Sequence, residues 1–148
     1  MVCEDIVDHT NMGAIIRVAG ALGWDAVVVS RGSADPLYRR AIKSSMGASL
    51  KVPWRRMDDD GTDLQRIRAA GFHVVATALL PEAVALQDVE LPGKVALLLG
   101  TEGRGLSQGW MGQADVTTRI PMAGGIDSLN VATAAAICGW ELRPEPAS

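Results

Sequence analysis

The residues best suited to chemistry fall in three separated segments of this 148-residue chain. In the first segment, Gly13 and Arg17 lie four residues apart on a predicted helix and therefore share one face. A glycine there leaves space above the first turn, and an arginine one turn later could hold an anion or a hydroxyl in that space. The alternative is a closely packed glycine beside an ordinary surface arginine.

The second segment, Gly100–Leu106, directly follows an apolar run. Glycines at the carboxyl end of a strand let a ligand approach the backbone, where open α/β sheets usually bind their ligands. The spacing is neither Gly-x-Gly-x-x-Gly nor that of a P-loop, which argues against dinucleotide and P-loop sites. Glu102, flanked by glycines, is a candidate functional acid, and a solvated loop acid is the alternative.

The third segment runs from Ile120 to Ala132 and combines a strand end, a glycine-rich loop and a helix start. Ser128 is the predicted N-cap of that helix. Exposed backbone amides beside apolar side chains suit an adenine ring and a ribose. A tight structural loop is the alternative interpretation.

Alternating apolar runs and helical patterns must position these segments. Strands are predicted at Val2–Ile6, Ala26–Ser30, Lys51–Trp54, His73–Ala78, Val95–Gly100 and Val116–Ile120. Helices are predicted at Asn11–Leu22, Pro36–Ser45, Thr62–Ala70 and Leu129–Leu142, with a short one after Ser107. This alternation predicts an α/β fold with a largely parallel sheet flanked by helices.

The first and last predicted helices carry further information. Asn11 is the expected N-cap of the first helix, whose apolar residues form one buried stripe. The last helix, from Val131 to Cys138, is small and apolar nearly all round. One of its sides is expected to face the sheet and another a partner subunit.

The net charge of −3 conceals a basic window. Between His9 and Arg56 the chain has eight basic and two acidic residues, a local charge of +6. Such a window can neutralise nucleic-acid phosphates, although a solvated helix face is equally compatible with it. RNA contacts are predicted at Arg17, Arg31, Arg39, Arg40 and Lys43.

The composition limits which classes of protein and which kinds of site remain possible. The sequence contains no apolar run long enough for a membrane span, and no signal peptide is recognised. Cys3 and Cys138 lack metal-ligand spacing, so no metal is expected and Cys138 is predicted to be a buried free thiol. His9 and His73 are interpreted as structural or surface residues. A cytoplasmic location is expected.

Taken in order, the three segments resemble the three motifs of the SpoU/TrmH branch of the SPOUT methyltransferases. Asn-x-Gly-x-x-x-Arg is matched from Asn11 to Arg17, and Gly-x-Glu-x-x-Gly-Leu from Gly100 to Leu106. Ile-Pro-Met-x-Gly, followed after three residues by Ser-Leu-Asn-Val-Ala, is matched from Ile120 to Ala132.

The resemblance implies a SPOUT methyltransferase domain over residues 1–142, with residues 143–148 as a tail. It implies a deep trefoil knot near the C-terminus and a homodimer in which Arg17 reaches a donor held by the other subunit. Because many members carry an extra N-terminal domain, the chain is either a minimal member or a fragment. The implied S-adenosylmethionine site comprises Thr77, Ala78, Leu79, Leu99, Gly100, Glu102, Gly103, Ile120, Pro121, Met122, Ser128 and Leu129.

The implied activity is methyl transfer from S-adenosylmethionine to a ribose 2′-hydroxyl of rRNA or tRNA. The implied catalytic set is Arg17, Asn11, Glu102, Ser128 and Asn130. Arg17 would act either as a base or as a charged clamp, and its permanent charge favours the clamp. Two alternatives are an RNA-binding relative without catalysis and a knotted methyltransferase that acts on an RNA base.

Overall fold

A computed structural model describes residues 1–91, 93–101 and 103–145 as alternating strands and helices. The strands are β1 (Val2–Cys3), β2 (Val27–Val29), β3 (Trp54–Arg56), β4 (His73–Thr77), β5 (Val84–Ala85), β6 (Val95–Leu99) and β7 (Val116–Arg119). The helices are α1 (His9–Ala21), α2 (Arg39–Ser44), α3 (Asp60–Ala69), α4 (Gln108–Met111) and α5 (Val131–Glu141), with 3₁₀ turns at Ala48–Leu50 and Leu86–Asp88. Within these described ranges, no helix has the length and apolar character needed to cross a membrane.

All seven strands form one parallel sheet in the order β3-β2-β1-β6-β4-β7-β5. The central strands β4 and β6 contain continuous buried runs at Val74–Ala76 and Leu97–Leu99. Parallel strands that are covered on both faces carry such uninterrupted apolar runs. The predicted α/β class with a parallel, helix-flanked sheet is therefore confirmed, and every strand ends at the same edge of the sheet.

Helices cover both faces of this sheet. Side chains of α1 and α5 cluster with Val75 and Leu97 on one face, and those of α3 and α4 cluster with Val74 and Leu98 on the other. The alternation follows from the two-residue period of a strand. The short helix α2 lies against α1.

Two strand predictions differ from the structure, and one strand was not predicted. The predicted strand Val2–Ile6 ends at Cys3, because Asp5 adopts a φ of 51°, outside the extended region. The predicted strand Lys51–Trp54 is displaced to Trp54–Arg56, where β3 pairs with β2. The edge strand β5 was not predicted.

The predicted N-caps of the first and last helices are wrong. Asp8 caps α1: its backbone is extended and its Oδ1 accepts a hydrogen bond from the Asn11 N–H at 2.9 Å. Asn130, rather than Ser128, caps α5, because its Oδ1 accepts hydrogen bonds from the N–H groups of Ala132 and Thr133. Both asparagines thus lie at the two helix starts, although only Asn130 supplies a cap.

Candidate active site

A cavity of about 310 Å³ opens where β4, β6 and β7 end. It is bounded by the segments that follow these strands, by the loop before α5 and by one side of α5 itself. Ten residues of the predicted donor site line it: Thr77, Ala78, Leu79, Leu99, Gly100, Gly103, Ile120, Met122, Ser128 and Leu129. Pro121 is not among the lining residues, and Glu102 lies outside the described residues.

The loop after β6 folds back on itself. Thr101 and Gly105 form an antiparallel bridge in which the Gly105 N–H donates to the Thr101 carbonyl at 2.9 Å. A Cβ at Gly100 would overlap the backbone of Gly105 and Leu106, and Gly105 itself has a φ of 66°. Glycine is therefore required at both ends of this turn, which brings backbone to the cavity wall.

Glu4, which sequence reasoning missed, anchors the far end of the same loop. It follows β1, is only 8% exposed, and accepts hydrogen bonds from both the N–H and the Oγ of Ser107, each at 2.6 Å. Ser107 in turn caps α4 by accepting a hydrogen bond from the Trp110 N–H. A buried carboxylate with two donors is a stable arrangement, and it ties the first strand to the cavity loop.

The first and third segments meet through their asparagines. Asn130 Nδ2 donates a hydrogen bond to Asn11 Oδ1 at 3.1 Å across a sequence separation of 119 residues. Ser128 and Leu129, just before Asn130, line the cavity. The start of α1 is thus held beside the cavity loop that precedes α5.

The structure contradicts open space above Gly13. The residue is buried, and a Cβ there would overlap the Ser44 Oγ and the Ala41 carbonyl of α2 and lie 2.9 Å from the Ser45 N. Gly13 therefore allows α2 to pack closely on α1, which was the alternative interpretation. Arg17, one turn later, is exposed.

A family comparison places this geometry among known proteins. The family model described as SpoU rRNA Methylase family matches residues 1–140. The chain belongs to this family. An AdoMet-bound rRNA methyltransferase from Sinorhizobium meliloti superimposes with a TM-score of 0.87 at 34% identity, covering 95% of this chain and 54% of that one.

Curated SpoU-family relatives are similar over nearly the whole chain. An uncharacterised tRNA/rRNA methyltransferase of Mycobacterium tuberculosis is 47% identical over an alignment of 146 residues that covers 95% of this chain and 50% of the relative. The 23S rRNA (guanosine-2′-O-)-methyltransferase RlmB of a Burkholderia species is 36% identical over 138 residues, covering 93% and 56%. The chain thus spans about half the length of these relatives.

The predicted RNA-contacting cations of this SpoU-family chain are all exposed. Arg39, Arg40 and Lys43 lie on α2, Arg31 follows β2 and Arg17 lies on α1. Within the described ranges, none of these five side chains forms an ion pair. Unpaired exposed cations are available to a polyanion.

Cys138 is a buried free thiol, as predicted, and it also lines the cavity. Burial raises the pKa of its thiol to about 12, so the group is neutral at physiological pH. A cluster of three or more His, Cys, Asp or Glu residues able to hold a metal ion was not found among the described residues. The cavity wall combines apolar side chains and glycine backbone with Ser and Thr hydroxyls, and the exposed Arg104 also lines it.

Proposed function

We propose that this chain is the catalytic domain of an S-adenosylmethionine-dependent 2′-O-methyltransferase that modifies rRNA or tRNA. The proposal rests on the cavity at the carboxyl edge of the sheet. The second and third motif segments line this cavity. The first motif segment is linked to it through the Asn11–Asn130 hydrogen bond. The Burkholderia relative is named as a guanosine-2′-O-methyltransferase, which favours methylation of the ribose over methylation of a base. The chain's negative total charge is compatible with RNA because the basic window is local.

The cavity suits the adenosine of S-adenosylmethionine, whose charged sulfonium carries the methyl group and the methionine-derived arm. Its volume of about 310 Å³ is typical of small-ligand sites, and glycine backbone at Gly100 and Gly103 permits close approach of a ring. We assign cofactor contacts to the ten lining residues of the predicted site, and Pro121 and Glu102 remain predictions. When bound, S-adenosylmethionine supplies an electrophilic methyl group to the ribose 2′-oxygen.

Arg17 is proposed to hold the RNA and stabilise charge on the attacking oxygen. Its guanidinium is permanently protonated, is exposed, and has no hydrogen bond or ion pair among the described residues. A charged donor pair of this kind binds a phosphate and favours a developing alkoxide. Asn11, Ser128 and Asn130 are proposed to orient Arg17 and the ribose; the catalytic role of Glu102 also remains a prediction.

We further propose a cytoplasmic homodimer that uses α1 and α5. In the single chain, α5 buries Val131, Ala135 and Cys138 but leaves Ile137 39% and Trp140 56% exposed. Obligate interfaces bury roughly 2,000 Å² or more and are apolar, which fits this uncovered face. Sedimentation at micromolar concentration tests the proposal, and a monomer would contradict it. The trefoil knot and the domain boundary at residue 142 remain predictions.

The proposed function is tested with Arg17→Ala and Arg17→Lys. Calorimetry measures S-adenosylmethionine binding, and transfer of a labelled methyl group to unmodified rRNA and tRNA measures activity, with the ribose located by mass spectrometry. We expect Arg17→Ala to lower turnover about 10²–10³-fold while donor affinity stays near wild type. If a bidentate clamp matters, Arg17→Lys does not restore activity.

Arg66→Ala is the matched control, because Arg66 is an exposed arginine on α3, across the sheet from Arg17. It should leave both measurements unchanged. Near-normal turnover of Arg17→Ala at saturating RNA would contradict the role of Arg17. Absence of donor binding to the wild-type chain would contradict the function itself.

A further inference from the structure

Two aromatic rings meet at the surface beside the first helix. His9 is the first residue of α1 and Tyr38 is the N-cap of α2, and their ring centroids lie 4.2 Å apart at an interplanar angle of 34°. Tyr38 remains 55% exposed, and its side chain makes no capping hydrogen bond. The contact therefore presents most of a tyrosine ring to solvent in an orientation supported by the histidine.

This His9–Tyr38 pair lies at the functional edge of the sheet. Helix α1 begins shortly after β1 ends, so its first turn is at the carboxyl edge, where the cavity opens. His9 shares that turn with Asn11, whose side chain is bonded to Asn130 at the start of α5. The close α1–α2 packing at Gly13 holds the helix that follows Tyr38 against the helix that begins with His9.

Two exposed arginines follow the exposed ring in the sequence. Arg39 and Arg40 follow Tyr38 directly, are exposed, and form no ion pair within residues 1–91, 93–101 and 103–145. Two carboxylates close to the pair in the sequence accept hydrogen bonds from backbone N–H groups. Asp8 accepts the one that caps α1, and Asp35 accepts one from the Leu37 N–H at 2.8 Å. An exposed aromatic face next to unpaired arginines matches the chemistry of single-stranded RNA, which offers flat bases on a chain of phosphates.

We propose that the His9–Tyr38 pair is a stacking site for an unpaired nucleobase of the RNA substrate, with Arg39 and Arg40 contacting the adjacent phosphates. The inference rests on the proposed function and adds to it a base-recognition surface outside the three motifs. Stacking on an aromatic ring tolerates any base, so this site contributes affinity and register for single-stranded RNA. His9 contacts one face of the Tyr38 ring. The opposite face is therefore the one that would stack on a nucleobase.

The test uses the full chain with S-adenosylmethionine and two short single-stranded RNAs of equal length, one with bases and one abasic. Fluorescence anisotropy at one fixed ionic strength measures both affinities, because phosphate contacts depend on salt. Wild type should prefer the RNA that carries bases. Tyr38→Ala should weaken binding of that RNA roughly tenfold, about 1.4 kcal/mol, and leave the abasic RNA unaffected. Tyr38→Phe should behave as wild type.

Comparison variants separate stacking from charge and from misfolding. Arg39→Ala should weaken both RNAs by the same factor, since it removes a phosphate contact. His9→Ala should weaken only the RNA with bases, and it replaces Tyr38→Ala if that variant does not fold by circular dichroism. Equal affinities of wild type and Tyr38→Ala for the RNA with bases, or an equal loss on both RNAs, overturns the proposal.

Calorimetry on the same preparations keeps the two proposals distinct. If wild type binds S-adenosylmethionine and methylates RNA while Tyr38→Ala is unaffected in RNA binding, only the stacking site is wrong. If wild type shows no donor binding and no methyl transfer, the proposed function is wrong, whatever the stacking result. A loss restricted to the RNA with bases supports the stacking site.

Discussion

Replacing Gly13 with alanine tests why the first motif contains a glycine. The hydrogen of Gly13 faces α2, and a methyl group would overlap the Ala41 carbonyl and the Ser44 hydroxyl. The Ser45 nitrogen would lie 2.9 Å from it. Two of these three atoms are backbone, so rotation of a side chain cannot relieve the overlap. We expect α1 and α2 to separate, and the protein to lose stability.

The magnitude follows from two opposing terms. Alanine improves helix propensity over glycine by about 1 kcal/mol in a helix interior. Overpacking against immobile atoms costs typically about 1–3 kcal/mol and occasionally more, and backbone overlap places Gly13→Ala at the upper end of that range. The net loss is therefore about 2 kcal/mol, which corresponds to a decrease in Tm of about 4–8 °C for a chain of this size.

Differential scanning calorimetry measures this change. Gly61→Ala is the matched control, because Gly61 lies in helix α3 and its Cβ would meet only the Asp59 Oδ1, at 3.8 Å. The control gains the same helix propensity without a backbone overlap, so its Tm should be near or above that of wild type. A Gly13→Ala variant as stable as wild type would refute the packing argument and favour open space above that glycine.

Three further predictions concern the loop after β6 and the opposite edge of the sheet. Gly100→Ala overlaps backbone in its own loop, so calorimetry should show S-adenosylmethionine affinity at least roughly tenfold lower. Glu4→Gln removes a charged acceptor from Ser107, and urea unfolding should show a loss of about 1.5–3 kcal/mol. The Asp115 carboxylate accepts a hydrogen bond from the Val74 N–H, which lowers its pKa from 3.8. Its stabilisation is complete above that value and is lost as the pH falls through the lowered pKa, so Asp115→Asn should cost stability near neutral pH and converge with wild type in acid.

Each of these predictions has a control on the same chain. Gly109→Ala has an almost open Cβ position and should bind the donor normally. Glu82→Gln and Asp88→Asn alter exposed carboxylates and should leave stability unchanged. Unaltered donor affinity in Gly100→Ala, unaltered stability in Glu4→Gln, or a pH-independent difference for Asp115→Asn would contradict the corresponding argument.

The strands that were predicted well from the sequence are those in which consecutive residues are all apolar and buried. Val74–Ala76 and Leu97–Leu99 are apolar without interruption because both of their faces are covered. The edge strand Val84–Ala85 has only two residues and pairs with a single strand, β7. No periodicity can develop over that length, so pairing with β7 had to be seen in the fold.

The cavity wall was predictable for a related reason. Loops that follow parallel strands meet at one edge, so the segments after β4, β6 and β7 converge once the sheet is known. Glu4 escaped prediction because its partner, Ser107, lies 103 residues away. Gly13 was ambiguous because its neighbour, α2, approaches through tertiary packing that the spacing from Gly13 to Arg17 does not encode.

Asn130 explains why asparagine, rather than another capping residue, is suited to the start of α5. A serine or an aspartate can accept hydrogen bonds from the first N–H groups of a helix as Asn130 does. Asn130 also donates from Nδ2 to the Asn11 Oδ1, which an ionised carboxylate cannot do and a shorter hydroxyl does not reach while capping. The residue thus satisfies the helix end and fixes the first motif beside the cavity with one side chain. The partners of Asn130 lie in two different parts of the sequence, the start of α1 and the first turn of α5. Helix-capping rules therefore account only for its contacts within α5.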